Sequence, residues 1–158
     1  MLYRLYVHQE HVIIPVVAQT EEGFYVDTPP VVRIHVSDTA NWKAVLLEAL
    51  EAGNQIIPTP EASDSGSSCL LETLKLEKWT TFEKRACMYT VHSGVSCIKM
   101  YRTGKAPDGM WGPNNQIEHT FPSDAPWTFI VHAIGDDIIK QPEAHPVKSG
   151  GLIRITNP

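Results

Sequence analysis

The stretch Cys87–Tyr101, CMYTVHSGVSCIKMY, holds two runs of β-branched, aromatic and other apolar residues on either side of Ser93-Gly94. This pattern predicts two antiparallel strands, Cys87–Val91 and Val95–Tyr101, joined by a tight turn. Side-chain alternation then places four apolar residues on one face of the hairpin: Tyr89, Val91, Ile98 and Met100. We expect that face to lie against the core of an antiparallel sheet.

Other stretches carry the same strand signature, and two of them flank the polar turn Thr20–Gly23 as in a hairpin. Pro15 lacks the amide that a central ladder requires, so its strand is expected to lie at a sheet edge or to be bulged there. Pro29-Pro30 is expected to separate the third of these strands from the fourth. The candidates are Leu2–Val7, Val12–Ala18, Phe24–Val26, Val31–Val36 and Gln116–Phe121.

Two long helices are predicted by apolar residues that recur every three to four positions. The first runs from Thr39 to Ala52, with Ser37 or Asp38 as its N-cap and Gly53 as its C-cap. The second follows a cap at Ser123, and its apolar stripe consists of Trp127, Ile130, Val131, Ile134 and Ile138. Short helices are expected over residues 70–76 and 80–85.

The order of these elements predicts one α+β domain over residues 1–158, because the strands come in hairpins and the helices lie between groups of strands. We expect an antiparallel sheet of about five to six strands with the two main helices packed on one face. Residues 56–69 are predicted to form a flexible loop, residues 103–115 a second long loop, and residues 141–151 a loose tail.

The amino-acid composition excludes some classes of protein. The longest apolar run, Val12–Ala18, is far shorter than the roughly 20 residues of a membrane span, and the residues before it make a poor signal peptide, so we expect a cytoplasmic protein. The three cysteines include no C-x-x-C pair. This argues against a disulfide framework and a thiolate zinc site.

The net charge of −5 is unevenly distributed along the chain. Residues 1–74 contain ten acidic and three basic residues, residues 75–105 contain two and seven, and residues 106–158 contain six and three. An acidic majority argues against a nucleic-acid binder, which would be basic overall. A basic protein partner is the more natural inference, since opposite charges favour encounter.

The candidate catalytic motifs are weak. The serine-rich run PTPEASDSGSSCLL at residues 58–71 has neither the Gly-Lys of a phosphate loop nor the flanking glycines of a nucleophile elbow. His8 and His11 are three residues apart, which on one strand would point them to opposite faces, so no metal site is expected there unless the chain bends between them. We expect no cofactor, no metal and no catalytic residues.

The alternative is a small thiol-dependent enzyme. The predicted hairpin puts Cys97 and His92 on one face near Lys99, whose charge would lower the pKa of the thiol. A further alternative is a structural subunit of a bacterial assembly, in which the strand containing Pro15 pairs with a neighbour.

The run LLEALEAGNQIIPTP at residues 46–60, followed by LKLEKWTTF at residues 74–82, resembles small bacterial immunity proteins of the polymorphic-toxin and contact-dependent inhibition type. The similar segments look structural and identify no binding residues. The resemblance implies a non-enzymatic protein that neutralises a cognate toxin, such as a basic nuclease, by direct binding.

Acidic residues are the natural candidates for such a surface, because they speed encounter with a basic toxin. Trp111 is added as the aromatic residue that we expect to be exposed for binding. The candidate partner-binding residues are Glu21, Glu22, Asp27, Glu48, Glu51, Trp111, Asp136 and Asp137.

Overall fold

The computed structural model describes residues 1–61, 68–105 and 111–140, with the side chains of residues 104, 105 and 111–118 left out of the description. The strands of this part are β1 (Leu2–His8), β2 (His11–Thr20), β3 (Tyr25–His35), β4 (Ile56–Ile57), β5 (Ala86–Ser93), β6 (Cys97–Lys105) and β7 (Trp111–Pro122). The helices are α1 (Thr39–Ala52), α2 (Ser68–Leu74), α3 (Trp79–Glu83) and α4 (Trp127–Lys140). The α+β class predicted from the sequence is confirmed.

Six strands form one antiparallel sheet in the order β3-β2-β1-β5-β6-β7, and the short β4 pairs in parallel with the end of β2. The β5–β6 hairpin turns two residues later than predicted, because Ser93 lies opposite Ile98 and the Gly94 amide donates to the Cys97 carbonyl at 3.0 Å. The new pairing differs from the expected one by an even number of residues, which leaves each side chain on its face. The four predicted core residues of this hairpin are therefore buried as expected.

Strand β3 differs from the prediction, because it runs without interruption through Pro29-Pro30. The two prolines are accommodated where the β2–β3 register shifts: Pro15 pairs with Val31, whereas Val16 pairs with Thr28. The expected bulge at Pro15 is confirmed. Its strand is not at an edge, however, since β2 lies between β3 and β1. The hypothesis that this strand pairs with a neighbouring subunit loses its structural basis.

The main core lies between the sheet and the two long helices, which contact each other on one face as predicted. Helix α1 has the predicted bounds, and Gly53 follows it with a φ of +74°, a conformation that favours glycine. Helix α4 begins at Trp127 rather than next to Ser123. Its buried side chains include four of the five residues of the predicted stripe, Ile130, Val131, Ile134 and Ile138.

The opposite face of the sheet carries a second, smaller core, which the sequence did not predict. Tyr6 and Ile13 of the sheet pack there against Leu70 of α2 and Phe82 of α3.

The loop predicted over residues 56–69 is wrong at both ends, because Ile56–Ile57 form β4 and α2 begins at Ser68. The loop predicted over residues 103–115 is replaced at its ends by β6 and β7, and the tail over residues 141–151 lies outside the described residues.

Candidate functional site

Strands β1 and β2 pair at one end only and leave a gap in the sheet, which we call the β1–β2 split. Their ladder joins only Tyr6, Val7 and His8 to Ile13, Val12 and His11. Beyond it, β2 bends at the register shift between Pro15 and Val16 and pairs with β4 instead. The first residues of β1 therefore face a gap where a neighbouring strand would otherwise lie.

The side chain of Asn54 bridges this split. Its Oδ1 accepts the Leu2 amide at 3.0 Å, and its Nδ2 donates to the Leu2 carbonyl at 2.9 Å and to the Val17 carbonyl at 2.8 Å. An amide side chain can donate and accept at once, so it replaces backbone partners on both strands. Asn54 thus stabilises the two strands in their separated positions.

We expect Asn54→Ala to lower the free energy of unfolding by about 2–3 kcal/mol, because three partly buried backbone groups lose their partner. Urea denaturation would measure the loss. Gln55→Ala is the matched control, since that side chain is exposed and its replacement should cost less than about 0.5 kcal/mol. Equal stabilities of the two variants would contradict the bridging role.

A partly open cavity of about 150 Å³, which we call the split cavity, lies between α1 and the β1–β2 split. Most of its lining is aliphatic. Ala52 and Gln55 are exposed at its rim, and Leu46 is buried at its base. The lining residues are Tyr3, Arg4, Ile14, Pro15, Val16, Val17, Leu46, Ala49, Ala52, Gly53 and Gln55.

On the face of the sheet opposite α1, the Arg4 side chain extends from β1 past β2 and binds residues of β3. Its guanidinium donates to Asp27 Oδ1 and to the Tyr25 carbonyl, both at 2.7 Å, and the Tyr6 hydroxyl donates to Asp27 Oδ2 at 2.5 Å. Burial raises the pKa of the Asp27 carboxyl, although Arg4 and Tyr6 act in the other direction. Burial also raises the pKa of Tyr6, and the nearby carboxylate adds to this shift. Asp27 is therefore an internal clamp and does not belong to the surface on which we expected it.

Asp137 occupies a similar position on the other side of the sheet. Its Oδ2 accepts the Tyr89 hydroxyl at 2.6 Å and lies 3.8 Å from Arg102 Nη1, and both charged side chains are only 6% exposed. Burial raises the pKa of Tyr89, and it raises the pKa of the neighbouring Cys87 thiol to about 12. Like Asp27, Asp137 is a buried structural acid and not an exposed candidate for partner binding.

The other predicted acids are exposed but do not form one group. Glu48 and Glu51 are exposed on α1, and Asp136 lies on α4, 3.6 Å from Lys140. Glu21 and Glu22 lie together in the β2–β3 turn. Trp111 begins β7, where its backbone pairs with Lys105, and its side chain is outside the description.

The β2–β3 turn and the adjacent β4 also present two large apolar side chains that sequence reasoning missed. Phe24 is 64% exposed and Ile56 is 73% exposed. They lie on the two sides of the end of β2: the Thr20 amide donates to the Phe24 carbonyl at 2.7 Å, and Gln19 pairs with Ile56. We call Glu21, Glu22, Phe24 and Ile56 the hairpin-tip surface.

The histidine and cysteine candidates are placed as follows. His92 and Cys97 share a sheet face near Lys99, as expected, but in the described part of the chain no hydrogen bond joins their side chains. His8 and His11 would lie on opposite faces if one strand held both, but the chain turns at Gln9 and makes them cross-strand partners. Within the described ranges, no three His, Cys, Asp or Glu residues are arranged to hold a metal ion.

Comparison with known proteins identifies the fold only. No family model and no curated protein matches the chain. A solved structure of a protein of unknown function from Neisseria meningitidis superposes with a TM-score of 0.60 at 12% sequence identity, over 89% of this chain and 95% of that one. At this identity, the likeness supports the architecture and carries no function.

Across the helices that the structure describes, none has the length and apolar character needed to cross a membrane.

Proposed function

We propose that this protein is a non-enzymatic, acidic binding protein of the bacterial immunity type that acts in the cytoplasm. It neutralises a basic cognate toxin by binding it through the hairpin-tip surface. The observation that carries the proposal is the combination of acidic and apolar groups on the exposed β2–β3 turn and the adjacent β4. Glu21 and Glu22 lie beside Phe24 and Ile56, whose side chains are mostly exposed.

Each half of this combination has its own role in binding. The two glutamates, in a chain of net charge −5, attract and orient a basic partner before contact. An exposed aromatic side chain beside an aliphatic one provides apolar area that is removed from water on contact, and such residues often supply most of the binding energy. The segment that resembles immunity proteins, residues 46–60, contributes Ile56 to this surface.

The test is calorimetric titration at low salt with the toxin encoded beside the gene. We expect a complex that Phe24→Ala weakens about tenfold or more, because an aromatic anchor of the interface is removed. Phe129→Ala is the matched control: Phe129 is 62% exposed on α4, and its replacement should leave the affinity unchanged.

The charge contribution is tested with two double variants that change the net charge equally. Glu21→Lys with Glu22→Lys should weaken binding more than Asp124→Lys with Asp136→Lys, which alters exposed acids on α4 and in the turn before it. The absence of any complex would overturn the proposed function. Equal losses in the two double variants would show that general attraction acts without this surface.

A further inference from the structure

We infer that the split cavity receives a single aliphatic side chain from a basic segment of the partner protein. The inference rests on the proposed function, because it takes the partner to be a basic protein. It goes further by assigning a second contact point, away from the hairpin tip, and the chemistry of the group that enters it.

The volume and lining of the cavity favour an apolar occupant of this size. An apolar cavity of about 150 Å³ is large enough to hold a molecule of the size of benzene. The split cavity has this volume and is lined by Ile14, Val17, Leu46 and Ala49 among others. A leucine, isoleucine or valine side chain is the group of matching size that a protein partner can provide.

The cavity is held open by specific bonds. Asn54 spans the split with three hydrogen bonds, and Arg4 ties β1 to β3 below it through Asp27 and the Tyr25 carbonyl. Closing the gap would break these bonds. A partner therefore meets a cavity that already exists, which removes the cost of opening one.

The charges around the rim favour a basic segment. Glu48 precedes the rim residue Ala52 by one helical turn, which places it on the same side of α1, and it is exposed. The basic side chain in the lining, Arg4, has its guanidinium bound to Asp27 and to the Tyr25 carbonyl. A lysine or arginine residue beside the entering side chain would meet the Glu48 carboxylate at the rim.

The experiment uses short peptides as probes and ¹H–¹⁵N NMR spectra of the full chain as the readout. Acetyl-Lys-Leu-Lys-amide is expected to shift the amide signals of Val16, Ala49 and Ala52. Acetyl-Lys-Ala-Lys-amide should shift them at least tenfold less at equal concentration, because alanine leaves the cavity unfilled. Acetyl-Glu-Leu-Glu-amide should also bind at least tenfold more weakly, because its charges match those of the rim.

Ala52→Leu is expected to block the rim and remove the response to the leucine peptide. Ala44→Leu is the matched control, since Ala44 is exposed on the same helix and lies outside the lining. A leucine response that persists in Ala52→Leu, or that Ala44→Leu abolishes equally, would overturn the inference. So would equal responses to the leucine and alanine peptides or to the lysine and glutamate peptides.

The toxin titration separates this inference from the proposed function. If the toxin binds the wild type and Ala52→Leu with equal affinity, the function stands and the cavity is not used. If the leucine peptide binds as expected but no toxin does, the cavity is a binding site and the immunity function fails.

Discussion

Replacing Asp137 with alanine is expected to lower the free energy of unfolding by about 3–5 kcal/mol, the range found when one member of a buried ion pair is removed. The substitution takes away the carboxylate that Arg102 and the Tyr89 hydroxyl both contact inside the main core. The guanidinium remains in a site that is 6% exposed, where water cannot replace the lost charge. Chemical denaturation followed by circular dichroism would measure the change.

The neighbouring residue provides the control. Asp136→Ala removes the same carboxylate one position earlier on α4, but Asp136 is exposed and its ion pair is with the exposed Lys140, so a change within about 0.5 kcal/mol is expected. Tyr89→Phe, which removes one hydroxyl and keeps the ion pair, should cost about 1–2 kcal/mol. Similar losses in Asp136→Ala and Asp137→Ala would contradict the placement of Asp137 in the core.

Asp136 and Asp137 show how far the sequence alone can locate a candidate site. Adjacent residues on a helix point about 100° apart, so the pattern of α4 shows that Asp136 and Asp137 differ in direction. It does not show that a tyrosine and an arginine of two other strands will meet one of them. Asp27 is similar, because its partners Arg4 and Tyr6 are 23 and 21 residues away in the chain. An acidic residue is normally exposed unless it is paired, and such pairing is a property of the tertiary structure.

The elements that were predicted well depend on local signals. Helix α1 has both predicted bounds; Asp38 occupies the N-cap position without a side-chain capping hydrogen bond, and Gly53 follows the helix with a positive φ. The faces of the β5–β6 hairpin follow from alternation and survive an even shift of register. The strand order, the split between β1 and β2 and the bridging role of Asn54 depend on contacts between distant residues: Asn54 bonds Leu2 and Val17, which are 52 and 37 positions away.

We expect the second large loss of stability from a substitution in the smaller core, on the face of the sheet opposite α1 and α4. Phe82→Ala should lower the free energy of unfolding by about 3–5 kcal/mol, because a fully buried aromatic ring is replaced by a cavity. The centroid of the Phe82 ring lies 4.9 Å from that of Trp79, 5.1 Å from that of His8 and 5.4 Å from that of Tyr6. It therefore joins the short helix α3 to two residues of β1 and to the smaller core.

This variant also tests whether the smaller core supports the clamp beneath the sheet. Tyr6 packs edge-on against Phe82 and donates to Asp27, so the loss of the ring should loosen Tyr6 and speed amide hydrogen exchange in α2 and α3 before the main core is affected. Leu46→Ala in α1 is the comparison, since it opens a cavity of similar kind on the opposite face, where the exchange of α2 and α3 should change only with global stability. If Phe82→Ala unfolds the protein without a local change in exchange, the two faces of the sheet form one cooperative unit. In that case the short helices stabilise the whole sheet, and the clamp formed by Arg4, Tyr6 and Asp27 cannot open independently of it.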